Sequence, residues 1–229
     1  MPRCSFLQIC CRTMKKQLVI FDLDGTLLNT VADIAAATNH ALHTLGYPTH
    51  SEDAIQGFVG NGVSKLLERS LPEDSRTEEN VSLLRAHFTE YYDMHNADLS
   101  TPYPGIQELL CTLHEAGVLL AVASNKYQSA TEKLVAHYFP GIDFLCVLGQ
   151  RSDVPVKPSP HIVHEIMDKA KVAREYILYV GDSGVDMQTA HNAHVDAIGV
   201  SWGFRPRAEL QSFQPLGIID SAEELKDFV

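Results

Sequence analysis

Six short, nearly continuous apolar runs punctuate the chain: QLVIFDL from residue 17, VLLAVAS at 118–124, DFLCVLG at 143–149, EYILYVG at 175–181, DAIGVS at 196–201 and GIID at 217–220. Runs of this length, apolar at consecutive rather than alternate positions, read as strands buried on both faces. Helix-like stretches separate them at roughly 105–116, 127–138, 159–170, 184–193 and 221–228. Pro160 stands at the start of one, and Ser221 with Glu224 three residues on predicts a capping box for the last. Regular strand–helix alternation predicts an α/β fold, a doubly wound parallel sheet of Rossmann-like type. Ligands of such sheets bind beyond the carboxyl ends of the strands.

One segment breaks this rhythm. Residues 31–100 show no convincing strand but several helical patterns, among them VADIAAATNHALHTLG with Gly46 at its end, GVSKLLERSL and ENVSLLRAHFTEYYDMH. TPYPG at 101–105 then marks a turn back to the sheet rhythm. The division this predicts is an α/β core made of 14–30 and 101–229, with 31–100 inserted as a helical cap over the active edge of the sheet. Residues 1–13 (MPRCSFLQICCRT) precede a second methionine, Met14, and are expected to be a disordered leader. The apolar stretch there is broken by Gln8 and has no small-residue cleavage site, so it does not read as a signal peptide.

Composition narrows the class. At 229 residues the chain has ample length for a real core, and its hydrophobic (45%) and charged (21%) fractions are those of a globular protein, not a disordered one. The net charge of −11 argues against an electrostatic grip on nucleic acid or anionic lipid, while a small anionic substrate needs only a local positive site or a metal. No apolar run approaches the roughly 20 residues of a membrane span. Five cysteines, without C-x-x-C spacing, signal neither a disulfide framework nor a zinc site, and Cys111 and Cys146 read as buried small hydrophobes. A cytoplasmic protein, monomer or homodimer, is expected.

The chemistry gathers at the predicted strand ends. The first strand runs into Asp22-Leu23-Asp24-Gly25-Thr26, and two carboxylates two residues apart point the same way. Held together they repel each other unless a cation or proton stabilises them. The run 175–181 ends in Gly181-Asp182-Ser183-Gly184-Val185-Asp186, again carboxylates at a strand end leading into a helix. Aspartates from neighbouring strands make a hard, all-oxygen site suited to Mg²⁺. The run 118–124 ends in Ser124-Asn125, read as a hydroxyl beside a helix N-terminus with free N–H groups. Lys157 lies between Pro155 and Pro158, which stiffen its loop so that the ammonium is held at a fixed point.

DLDGT, the Ser124 segment, Lys157 before a proline and GDSGVD, in that order, resemble the haloacid-dehalogenase-type phosphatase superfamily, over residues 16 to about 229 and with a helical cap in the C1 position. FVGNGVSKLLERSL and SNK are similar to the phosphoglycolate phosphatases of that superfamily. The resemblance implies Asp22 as the nucleophile that forms an aspartyl-phosphate, and Asp24 as the acid and base. It also implies Ser124, the backbone around Asn125 and Lys157 as holders of the phosphoryl oxygens. Mg²⁺ would sit on the Asp22 carboxylate, the Asp24 main-chain carbonyl and Asp182, with Asp186 further out. The implied substrate is a small phosphate monoester, 2-phosphoglycolate first. A sugar-phosphate mutase of the β-phosphoglucomutase type, an inorganic pyrophosphatase and, remotely, a receiver-like phospho-acceptor domain are the alternatives, whereas an acid at position 24 argues against dehalogenation.

Gly25, Asn125, Asn61 and Arg69 are the substrate-binding candidates. Gly60-Asn61-Gly62 reads as a tight turn before a helix, along which Lys65 and Arg69 recur at i, i+4. Arg69 is expected to meet a carboxylate beside the phosphate. Trp202 and Phe204 are expected to pack the loop beside the active edge.

Overall fold

The computed structural model describes residues 15–229; the leader expected at 1–13, with its three cysteines, lies outside them. Strand β1 (Leu18–Phe21) leads through the short β2 (Leu28–Asn29) into four helices, α1 (Val31–Thr44), α2 (Glu52–Phe58), α3 (Val63–Ser70) and α4 (Glu78–His95). The chain returns through β3 (Thr101–Pro102) to α5 (Ile106–Glu115), β4 (Leu119–Tyr127), α6 (Gln128–Tyr138), β5 (Cys146–Gln150), α7 (His161–Ala170), β6 (Ile177–Gly181), α8 (Gly184–Ala193), β7 (Asp196–Val200), α9 (Arg207–Ser212) and β8 (Gly217–Ile219). Six strands form one parallel sheet in the order β5-β4-β1-β6-β7-β8.

Consecutive apolar residues in these strands serve two faces. Val19 and Phe21 of β1 join Val122, Val180 and Val200 in a cluster with Leu109 and Leu113 of α5 and Leu134 of α6. Leu18 and Ile20 join Ala121, Ala123 and Tyr179 against Val163 and Ile166 of α7 and Ala190 of α8. The helical segment has a hydrophobic cluster of its own, built from Ile34, Ala37 and Leu42 of α1, Ile55 of α2, Leu67 of α3 and Leu84, Phe88 and Tyr92 of α4. Its two connections to the sheet run side by side, because β2 and β3 pair antiparallel. Asp33, 2% exposed, fastens the return by accepting the N–H groups of Leu99 and Ser100 and the Ser100 hydroxyl.

Several boundaries differ from expectation. β4 runs on to Tyr127, so α6 starts at Gln128 and Ser124-Asn125 is not a helix N-terminus. The final segment, Ala222–Phe228, is a 3₁₀ helix without the expected capping box. There the Ser221 hydroxyl donates to the Glu224 carboxylate at 2.9 Å, which leaves the first turn to a Glu224 N–H bond onto the Ser221 carbonyl. Cys111 and Cys146 are half-buried rather than enclosed. α9, six residues after Pro206, is too short to show a helical period in the sequence. Among the described residues no helix is long and apolar enough to cross a membrane.

Candidate active site

β1 lies at the centre of the sheet between β4 and β6, so the residues after all three strands converge at one point. The Asp22 N–H donates to the Val180 carbonyl at 2.9 Å, which continues the β1–β6 ladder by one residue and aims the carboxylate outward from the strand end. Gly25, at φ +85°, then turns the chain, a backbone state that favours glycine. A Cβ at Gly25 or at Gly203 would overlap the Asp182 side chain, so these two glycines form the cradle in which Asp182 sits. Gly203 gave no signal in the sequence.

Asp22, Asp182 and Asp186 each place a carboxylate oxygen within 4.8 Å of the others, and all three are buried. Lys157, itself 2% exposed, donates from Nζ to Asp22 Oδ1 (2.9 Å), Asp186 Oδ1 (2.8 Å) and the Ala123 carbonyl (2.9 Å). Asp186 has little capacity left: Oδ1 also accepts the Tyr179 hydroxyl, and Oδ2 accepts the N–H and hydroxyl of Ser183 in the capping box of α8. Asp182 Oδ2 accepts the Phe204 N–H at 2.7 Å. Burial and then the Asp186 carboxylate, only partly opposed by Lys157, push the Asp22 carboxyl up to about 7. Burial, Asp186 and Asp22 push Asp182 well above the usual carboxylate range. Three buried carboxylates against one ammonium leave uncompensated negative charge, and every free donor is an oxygen. That donor set fits a hard divalent cation such as Mg²⁺.

Asp24 stands apart from this trio. Its Oδ1 accepts the Thr30 hydroxyl at 2.6 Å and lies 3.2 Å from Lys126 Nζ. Ser124 is buried and its hydroxyl accepts the Lys126 N–H. Asp22, Asp24, Ser124, Asn125, Lys126 and Asp182 line a cleft that also takes in Ile34, Leu66, Phe88 and Tyr92 of the helical segment. Lys157 stands directly behind it, in contact with Asp22.

Of the remaining candidates, Asn61 and Arg69 are placed differently from expectation. Gly60 (φ +120°) and Gly62 (φ +83°) form the turn and line the cleft, but Asn61 and Arg69 do not. Arg69 is committed to the Phe58 carbonyl and to Asn61 Oδ1, both at 2.8 Å, so its side chain reaches back to hold the loop that precedes its helix. Lys65 pairs with Glu68 at the exposed surface. The Asn125 side chain is wholly used on main chain: it donates to the Gly60 and Lys157 carbonyls and accepts the Lys157 N–H. Trp202 Nε1 donates to the Thr26 carbonyl, and Phe204 lines the cleft. The same loop carries Arg205, whose guanidinium binds the carbonyls of Gln56, Gly57 and Val59 at the end of α2. Lys126, although part of the SNK segment, and Arg205, like Gly203, carry no site role that the sequence alone assigns.

Comparison with known proteins agrees with this architecture. The sequence model of the Haloacid dehalogenase-like hydrolase family matches residues 19–200. A phosphoglycolate phosphatase of Vibrio parahaemolyticus is 34% identical over 218 residues, covering 93% of this chain and 96% of the relative. A solved structure from Lactobacillus delbrueckii subsp. bulgaricus, provisionally named a phosphoglycolate phosphatase, is 35% identical and superposes with a TM-score of 0.87 over 93% of this chain and 98% of its own. A predicted phosphoglycolate phosphatase from Haemophilus somnus is 30% identical with a TM-score of 0.85, over 93% and 97%.

Proposed function

Because the chain belongs to the haloacid dehalogenase-like hydrolase family, we propose that it is a Mg²⁺-dependent phosphatase acting on 2-phosphoglycolate through an aspartyl-phosphate on Asp22. The observation that carries this reading is the separation of two aspartates in one cleft. Asp22 faces Lys157 and the buried carboxylates, while Asp24 faces Thr30 and Lys126.

Each has its own task. Asp22 Oδ attacks phosphorus as the ester bond breaks, and Asp24 gives its proton to the departing alkoxide. Asp24 then takes a proton from water, whose oxygen attacks the same phosphorus and frees Asp22 as a carboxylate, with inorganic phosphate as product. Lys157, behind Asp22, holds positive charge against the phosphoryl oxygens, and Ser124 lines the cleft itself. Asp22, Asp182 and the Asp24 carbonyl would hold the cation, with Asp186 behind them fixing Lys157. When bound, Mg²⁺ supplies positive charge against the transferring phosphoryl group.

The test is phosphate release from a panel of small esters and pyrophosphate, with and without a chelator. Chelation is expected to stop phosphate release from 2-phosphoglycolate, and Mg²⁺ to restore it. Mg²⁺ is also expected to raise the melting temperature of the substrate-free protein, since binding to the folded acidic cluster stabilises it. Zinc-only activity, or an unchanged melt, would contradict the all-oxygen site. Conversion of a sugar phosphate to its isomer without net phosphate release would indicate a mutase instead.

A further inference from the structure

The steps above give no task to the ammonium that stands in the wall of the cleft. Lys126 has a side chain 6% exposed, and its Nζ lies 2.7 Å from the Tyr92 hydroxyl and 3.2 Å from Asp24 Oδ1, in the wall of the cleft. Burying an ammonium is costly, yet the Asp24 carboxylate and the Tyr92 hydroxyl outweigh that cost and hold the Lys126 ammonium above its ordinary range, so a cation is kept charged at this point of the cleft wall. No other described cation serves this side of the cleft. Lys157 is fixed among Asp22, Asp186 and the Ala123 carbonyl. Arg205 is spent on the carbonyls at the end of α2, and Arg69 on Phe58 and Asn61.

We propose that Lys126, together with the Tyr92 hydroxyl, binds the carboxylate of the substrate's tail and thereby selects short α-carboxylated phosphate esters. This rests on the reading of Asp24 as the acid that meets the ester oxygen. In such an ester the carboxylate carbon is two bonds from that oxygen. A cation close to the acid is therefore within reach of that carboxylate, and Lys126 stands 3.2 Å from Asp24 Oδ1. The ammonium has three donors, of which Tyr92 and Asp24 engage two. Tyr92 accepts from Lys126 and keeps its own proton to donate. Burial pushes that phenol up to about 12, so the donor persists at neutral pH. Ile34, Leu66 and Phe88 line the same cleft with apolar surface, which strengthens a charge-assisted contact by excluding water.

The experiment compares kcat/KM of wild type and Lys126→Met on 2-phosphoglycolate and on ethylene glycol monophosphate, the same ester with a hydroxyl in place of the carboxylate. The expected result is a fall of about 30-fold in the ratio of the two values, equal to ~2 kcal/mol at about 1.36 kcal/mol per decade. An equal loss on both esters, or none, overturns the inference and leaves the catalytic reading of Asp22 and Asp24 standing. Wild type that does not favour 2-phosphoglycolate over the neutral ester overturns the substrate reading, and the carboxylate site with it. Should Lys126→Met fail to fold, Tyr92→Phe carries the test. That variant keeps the ammonium and loses one donor, and the ratio is expected to fall about 5-fold; an unchanged ratio overturns the inference.

Discussion

Asp22→Asn is expected to lower kcat on every phosphate ester by about 10⁴-fold or more while the protein melts at or above the wild-type temperature. The loss follows from chemistry, since an amide is a poor nucleophile and no other carboxylate can take its place. Asp186 is hydrogen-bonded at both oxygens, Asp182 is held by the Phe204 N–H between two glycines, and Asp24 is turned toward Thr30 and Lys126. The retained stability follows from electrostatics. Burial and Asp186 already hold the Asp22 carboxyl up to about 7, so its charge is borne at a cost in the folded protein, and the neutral amide relieves that repulsion. Steady-state kinetics and a thermal melt on the same preparation check both halves. Activity within tenfold of wild type would remove Asp22 from the chemistry.

Lys157→Met is expected to damage both function and fold. The ammonium is enclosed and is the partner of two buried carboxylates, Asp22 and Asp186. Removing one member of such a group leaves like charges facing each other without a counter-ion, a change that costs about 3–5 kcal/mol in buried ion pairs. For a domain of this size that corresponds to a fall in melting temperature of roughly 10 °C. Catalysis should fall about 10²- to 10³-fold as well, because positive charge against the phosphoryl oxygens is lost. The double variant Lys157→Met, Asp186→Asn separates the two effects. Stability should partly return, since one uncompensated charge is gone, while activity should not. A Lys157→Met protein as stable as wild type would show that the cluster does not depend on this ammonium.

The sequence made the frame of the site legible and left its finer selection hidden, for reasons that particular residues show. Asp22, Asp24, Asp182 and Asp186 announce themselves because each follows an apolar run, and parallel sheets gather strand ends at one edge. The six strands are readable for the same reason, since burial on both faces writes an uninterrupted apolar signal. Arg69 misled because i, i+4 spacing reports which residues share a helix face but not where that face points. In the fold it points back to Phe58 and Asn61. Gly203 and Arg205 act on Asp182 and on the carbonyls of α2, partners about 20 and 150 residues away, and such contacts leave no local pattern. Lys126 lies inside the SNK segment, yet its meaning comes from Tyr92, which α4 brings from another part of the chain.

On this mechanism the phosphoryl group passes through Asp22. Acid quenching within milliseconds of mixing enzyme, Mg²⁺ and 2-phosphoglycolate, followed by proteolysis and mass spectrometry, tests it directly. A phosphoryl adduct is expected on the peptide that contains Asp22, forming and decaying at rates compatible with turnover and absent from Asp22→Asn. Full turnover with no adduct on that peptide, or with the adduct on another residue, would contradict the account.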